Sequence, residues 1–125
     1  MTPFERDLRA DLKAGRIDYD QALDRVDAEL KRSGDDASLL VVRGILILLS
    51  ENLKFELTDA RVSFERAIAT DPESAEAYEE LGRYFDVFEP DPKRAEELYR
   101  LALAKGAGAD CQESLDELLA EREAQ

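Results

Sequence analysis

Displaced against itself by 38 residues, the sequence lays Gly44 on Gly82 and Ala22 on Ala60; displaced by 35, it lays Ala60, Phe64 and Ala67 on Ala95, Tyr99 and Ala102. This recurrence constrains the fold more than any other feature, because a period of that length marks a supersecondary unit that buries its apolar face only by stacking on its neighbours. Apolar residues return at helical spacing throughout, and no stretch alternates apolar and polar residues for long enough to suggest a strand. The expectation is an all-α chain of stacked antiparallel helical hairpins, about 3–33, 36–71 and 74–107, with a C-terminal capping helix at 110–123. All of them belong to a single domain spanning residues 1–125.

Local punctuation sets the helix ends. Thr2 as cap and Pro3 at the first helical position open a helix to about Ala14, with Phe4, Leu8 and Leu12 in one stripe and Gly15 as its stop. A second runs from about Asp18 to Arg32, carries Ala22, Leu23, Val26 and Leu30 on one side, and stops at Ser33-Gly34. The third, from Asp35 or Asp36 as cap to about Glu51, is apolar nearly all round, as expected of an element packed on several sides. Thr58 is expected to cap a fourth helix reaching Thr70, and a fifth spans about Ser74 to Val87. Asp91 and Pro92 open a sixth that reaches about Lys105, and the last runs from Asp110 to about Glu123 with Leu115, Leu118 and Leu119 on one side.

The clearest copy of the repeat is Tyr78-x2-Leu81-Gly82-x2-Phe85 followed by Ala95-x3-Tyr99-x2-Ala102. In these residues the chain resembles the tetratricopeptide repeat family, in a small bacterial-type form, whose unit is about 34 residues with small residues where two helices touch. The middle copy keeps Gly44, Ala60, Phe64, Ala67 and Pro72. Gly44 and Ala60 stand 16 residues apart, against 13 for Gly82 and Ala95; one extra turn of about 3.6 residues absorbs the difference. The first copy keeps only Tyr19, Ala22 and Val26 of its second helix, with Glu29 where a small residue is usual. The resemblance spans about Asp18 to Ala107 and implies a right-handed superhelix of about three repeats.

It also implies a ligand face made from the first helix of each hairpin. Counted from Gly44, that face carries Ser38, Val41, Ile45, Leu48 and Leu49, an apolar strip; counted from Gly82, it carries Glu76, Glu79, Arg83, Asp86 and Val87, an acidic one. The candidate partner-binding residues are therefore Val41, Ile45, Leu48, Leu49, Glu79, Arg83 and Asp86. Three readings of the strip stand side by side: a groove for a partner, a dimer interface, or core beneath the chain's own first or last helix. The family's carboxylate-clamp subtype presents Lys, Arg and Asn at these positions. Here only Arg83 is of that kind, which disfavours a ligand held by its C-terminal carboxylate.

Charge narrows the partner. Thirty acidic and seventeen basic residues give a formal charge of −13, which repels nucleic-acid phosphates and anionic headgroups and suits a protein segment that is apolar and basic. The longest apolar run, Leu39 to Leu49, is broken by Arg43 and falls well short of the roughly 20 residues that span a bilayer. A single cysteine, Cys111, and an opening, Met1 to Asp7, unlike a secretory leader lead to the expectation of a cytoplasmic protein.

Chemistry at a metal or nucleophile is not expected. The sequence has no histidine and one cysteine, which excludes a tetrahedral zinc set. Asp18-x-Asp20-x3-Asp24 begins like a calcium loop, but Ala22 and Leu23 occupy the ligand and glycine positions. No cofactor, metal or catalytic residue is assigned. The expected function is a protein-interaction module or adaptor that holds a partner peptide or helix, the alternatives being a secretion-type chaperone for an export client and a self-associating structural subunit.

Overall fold

The structure, a computed structural model, describes residues 2–51 and 54–124. These form α1 (Pro3–Lys13), α2 (Tyr19–Ser33), α3 (Ala37–Leu49), α4 (Leu57–Thr70), α5 (Ala75–Val87), α6 (Pro92–Ala104) and α7 (Ala109–Glu123), with no strand among the described residues. The all-α expectation and the order of the helices stand.

Most helix starts follow from side chains that satisfy the otherwise orphaned N–H groups of the first turn. The Thr2 hydroxyl accepts from the Glu5 N–H, and Asp18 and Gln21 cap α2 reciprocally. Asp36, Ser74 and Asp91 accept from Leu39, Ala77 and Arg94 in the same way. The fourth helix departs from expectation. Thr58 lies inside α4 and does not cap it; the helix begins after Glu56, whose N–H donates to the Asp59 carboxylate at 2.8 Å. An acidic residue reaching back from the third helical position thus sets the start, a signal that a search for a Ser or Thr cap passes over. At the other end of that loop, α3 stops at Leu49 and not near Glu51, because Ser50 turns to an extended conformation and gives its hydroxyl to Asp20.

The repeated residues are the places where helices touch. A Cβ on Gly44 would clash with the edge of the Phe64 ring at Cε1, and one on Gly82 would lie 2.9 Å from Tyr99 Cδ1. Each glycine therefore lets α3 approach α4, or α5 approach α6, over an aromatic face. Ala60, Phe64, Ala67, Ala95, Tyr99 and Ala102 are all fully buried at these contacts. The second helix of each hairpin then packs on the first helix of the next: α2 on α3, α4 on α5, α6 on α7.

The first hairpin is looser. Its α1 has no glycine, Val26 occupies the place of the aromatic, and α1 makes slight backbone contact with α2. An ion-pair network takes over part of the contact, with Asp11 accepting from Arg16 and Arg25 at 2.8 Å each. Hydrogen bonds from these two guanidiniums, Arg25 first, hold the Asp11 carboxyl below its usual range.

The α3 helix lies at the centre, against α2, α4 and α5, so its apolar circumference is mostly buried. Arg43, the one charge in it, points into a polar joint. Its Nε donates to Asp27 at 2.7 Å, its Nη1 to the fully buried Ser63 hydroxyl at 2.6 Å, and its guanidinium lies over the Phe55 ring.

Candidate partner-binding site

The first helices α1, α3 and α5 share one side of the stack. Ser38 on α3 donates its hydroxyl to the buried Glu5 carboxylate of α1 at 3.0 Å, and α3 packs on α5. Because α1 carries no glycine and makes slight backbone contact with α2, the side chains of α1 and α3 meet without closing completely. A cleft of about 150 Å³ remains between them. Its walls are Leu8 and Leu12 from α1, Val42, Ile45, Leu46 and Leu49 from α3, and Tyr19 from the start of α2, with Arg9 at the rim.

Tyr19 and Leu49, 43% and 50% exposed, also wall a second hollow of about 230 Å³. Its remaining lining is Asp18, Asp20 and Glu51, three carboxylates. Two of these are held in place: Asp18 by the capping box of α2, and Asp20 by the Ser50 hydroxyl. The apolar cleft therefore opens into an acidic end across two shared side chains.

A larger hollow of about 500 Å³ lies between the N-terminus of α1 and the α2–α3 turn. Its charged groups are engaged with one another or with backbone. Arg32 pairs with Glu29, Asp35 with Arg66 at 2.6 Å, and Asp36 caps α3, so this hollow offers a ligand little that is not already used.

The residues expected on the ligand face separate into groups. Ile45 and Leu49 line the cleft. Val41 does not: it is 0% exposed, turned into the core of the stack, and closed to any partner. Leu48 is half-buried against the same core. Glu79 and Arg83 pair at 3.1 Å, Arg83 also reaches Glu80 at 2.7 Å, and Asp86 accepts from the Tyr99 hydroxyl at 2.9 Å. None of these three lines the cleft; they knit α5 to itself and to α6. Around them, burial pushes the Glu80 and Glu76 carboxyls above their usual range.

Leu8, Arg9, Leu12, Tyr19, Val42, Leu46, Asp18, Asp20 and Glu51 complete the site, and none of them belongs to the strips counted from Gly44 and Gly82. The α1 stripe was legible as an apolar face, but the neighbour it faces is decided by the crossing of α1 over α3. Cys111 is fully buried, its thiol donates to the Tyr99 carbonyl at 3.6 Å, and burial pushes the thiol up, away from the reactive thiolate. The described residues contain no group of three or more His, Cys, Asp or Glu placed to hold a metal ion, and no helix of theirs is long and apolar enough to cross a membrane.

Glycine-on-aromatic hairpins stacked in series, with an open cleft between successive first helices, define the class of fold: that of tetratricopeptide repeat domains. Two solved structures share it. The Sgt2 TPR domain from Aspergillus fumigatus matches with a TM-score of 0.76 at 22% identity, covering 98% of this chain and 81% of that one. The first TPR of Spaghetti (RPAP3), bound to the HSP90 peptide SRMEEVD, matches with a TM-score of 0.76 at 18% identity, covering 98% and 91%. At these identities the likeness is one of fold. No family model matches the sequence, and no curated protein sequence matches it.

Proposed function

We propose that this chain is a protein-interaction module, an adaptor without chemistry of its own, which holds a segment of a partner protein in the cleft between α1 and α3. The observation that carries this reading is the apolar wall formed by the exposed Tyr19 and Leu49 and the partly buried Ile45 on the side of the stack where first helices line up. A soluble chain gains nothing by keeping such side chains in water, whereas a partner that covers them gains about 25 cal/mol for each Å² of apolar surface removed. The peptide-bound state of the Spaghetti repeat supports the same use of this fold. Self-association through the cleft is the weaker reading, because each copy would bring a formal charge of −13 to the other.

Leu49→Lys tests it. The position is half exposed, so a lysine there stays hydrated in the free protein but removes one apolar wall of the cleft and sets a hydrated charge where an apolar anchor packs, costing several-fold to about a hundredfold in affinity. The parent chain, used as bait in native cell extract with mass-spectrometric identification, captures a partner. The variant is expected to lose it while circular dichroism and light scattering show the parental helix content and mass. Capture at parental strength removes the cleft from the binding surface, and a drop in mass from dimer to monomer transfers it to self-association.

A further inference from the structure

Resting on that reading, we infer that the cleft selects one kind of segment: a bulky apolar side chain flanked by lysine or arginine, the apolar group in the α1–α3 cleft and the cation in the acidic hollow beside it. The apolar part is about 150 Å³; a cavity of about that size lined by leucine and its like accommodates a benzene ring, so a phenylalanine, leucine or methionine side chain fills it. Beyond the shared walls Tyr19 and Leu49 stand Asp18, Asp20 and Glu51. Carboxylates oriented before the ligand arrives favour a cation without further ordering of their own, and they exclude an anionic flank by the same interaction.

Charge complementarity chooses this occupant over the alternatives. An acidic peptide of the kind bound by the Spaghetti repeat, SRMEEVD, would place like charge against the acidic hollow of Asp18, Asp20 and Glu51. Among the described residues that line the cleft and the hollow, Arg9 alone is a cation that opposes it. A second copy of this chain meets the repulsion of two strongly anionic surfaces. A basic flank is drawn to the hollow, and the apolar anchor fixes which residue sits at the junction.

Fluorescence anisotropy with the purified full chain and three short fluorescein-labelled peptides tests the inference. The peptides carry a phenylalanine between lysines, a phenylalanine between glutamates, and an alanine between lysines. The lysine–phenylalanine peptide is expected to bind about tenfold or more tighter than either of the others, and to weaken several-fold between about 50 and about 300 mM sodium chloride. Asp20→Asn combined with Glu51→Gln is expected to remove most of its advantage over the glutamate peptide, and Leu49→Lys its advantage over the alanine peptide. Equal binding of the lysine and glutamate peptides overturns the charge selection while leaving the interaction cleft in place. Equal binding of the phenylalanine and alanine peptides overturns the anchor, since attraction to the net charge alone then accounts for it. Failure of all three to bind overturns the inference outright; the extract capture by parent and Leu49→Lys judges the interaction reading separately.

Discussion

Gly44 and Phe64 show how a single side chain sets a helix pair. A glycine inside a helix ordinarily costs up to about 1 kcal/mol relative to alanine, so alanine there stabilises wherever space is open. At Gly44 the added methyl would collide with the ring edge of a fully buried phenylalanine, and overpacking of that kind costs about 1–3 kcal/mol. Gly44→Ala is therefore expected to lower stability in chemical denaturation, and by more than Gly82→Ala, where the nearest ring atom is 2.9 Å away. Combining it with Phe64→Leu should recover part of the loss relative to Phe64→Leu alone, a coupling that a double-mutant cycle reads directly. Additive losses would separate the two positions and remove the proposed contact. Arg43 gives the complementary case: legible in the sequence only as an interruption of an apolar run, it joins Asp27, Ser63 and Phe55 across three elements.

Among the elements, α1 and α5 carry consequences of different kinds. With no glycine contact and slight backbone packing on α2, α1 is held chiefly by Leu8 and by the Asp11 and Glu5 side chains. Its amides are expected to exchange with deuterium faster than those of α5 and α6, whose hairpin closes over Tyr99. Equal protection in α1 and α6 would contradict this.

On α5, burial raises the Glu80 carboxyl above its ordinary value of 4.5. A carboxyl that holds its proton more readily folded than unfolded contributes stability below pH 4.5, and loses it as pH rises through the raised value, because the folded state then binds more protons than the unfolded one. Glu80→Gln keeps an acceptor for Arg83 but no longer titrates. Its melting temperature relative to the parent is expected to rise between about pH 4.5 and neutrality, following that window. A difference between parent and variant that stays flat with pH would show that Glu80 ionises alike in both states.

For the molecule as a whole, a formal charge of −13 opposes compaction. Exposed ion pairs such as Arg66–Asp35 at 2.6 Å and Lys105–Glu73 at 2.9 Å contribute about 0–1 kcal/mol each and are weakened by the same salt. The excess of like, negative charge over paired charge decides the sign, since the Debye length falls from about 30 Å at 0.01 M to about 3 Å at 1 M. The melting temperature is expected to rise as sodium chloride is raised from about 0.02 to about 0.5 M. An unchanged or lower value would place the net charge too far apart to matter for folding.

Much of this architecture was determined by the sequence alone. Glycine, alanine and aromatic residues recur at the spacing where helices touch, and caps such as Thr2, Asp18 and Asp91 act on N–H groups within three residues of themselves. These are local or periodic effects, and a linear reading captures them. What lines the cleft was decided by tertiary structure. Helical counting from Gly44 placed Val41 and Ile45 on one face, and the packing of α3 against its neighbours buried the first and left the second at the opening. Asp18 and Asp20 became one wall with Glu51, some thirty residues distant in sequence, only because α3 ends beside the start of α2. No periodicity within one helix encodes the angle at which another crosses it; that angle follows from the volumes of side chains on both, here the leucines of α1 and the absent glycine between α1 and α2.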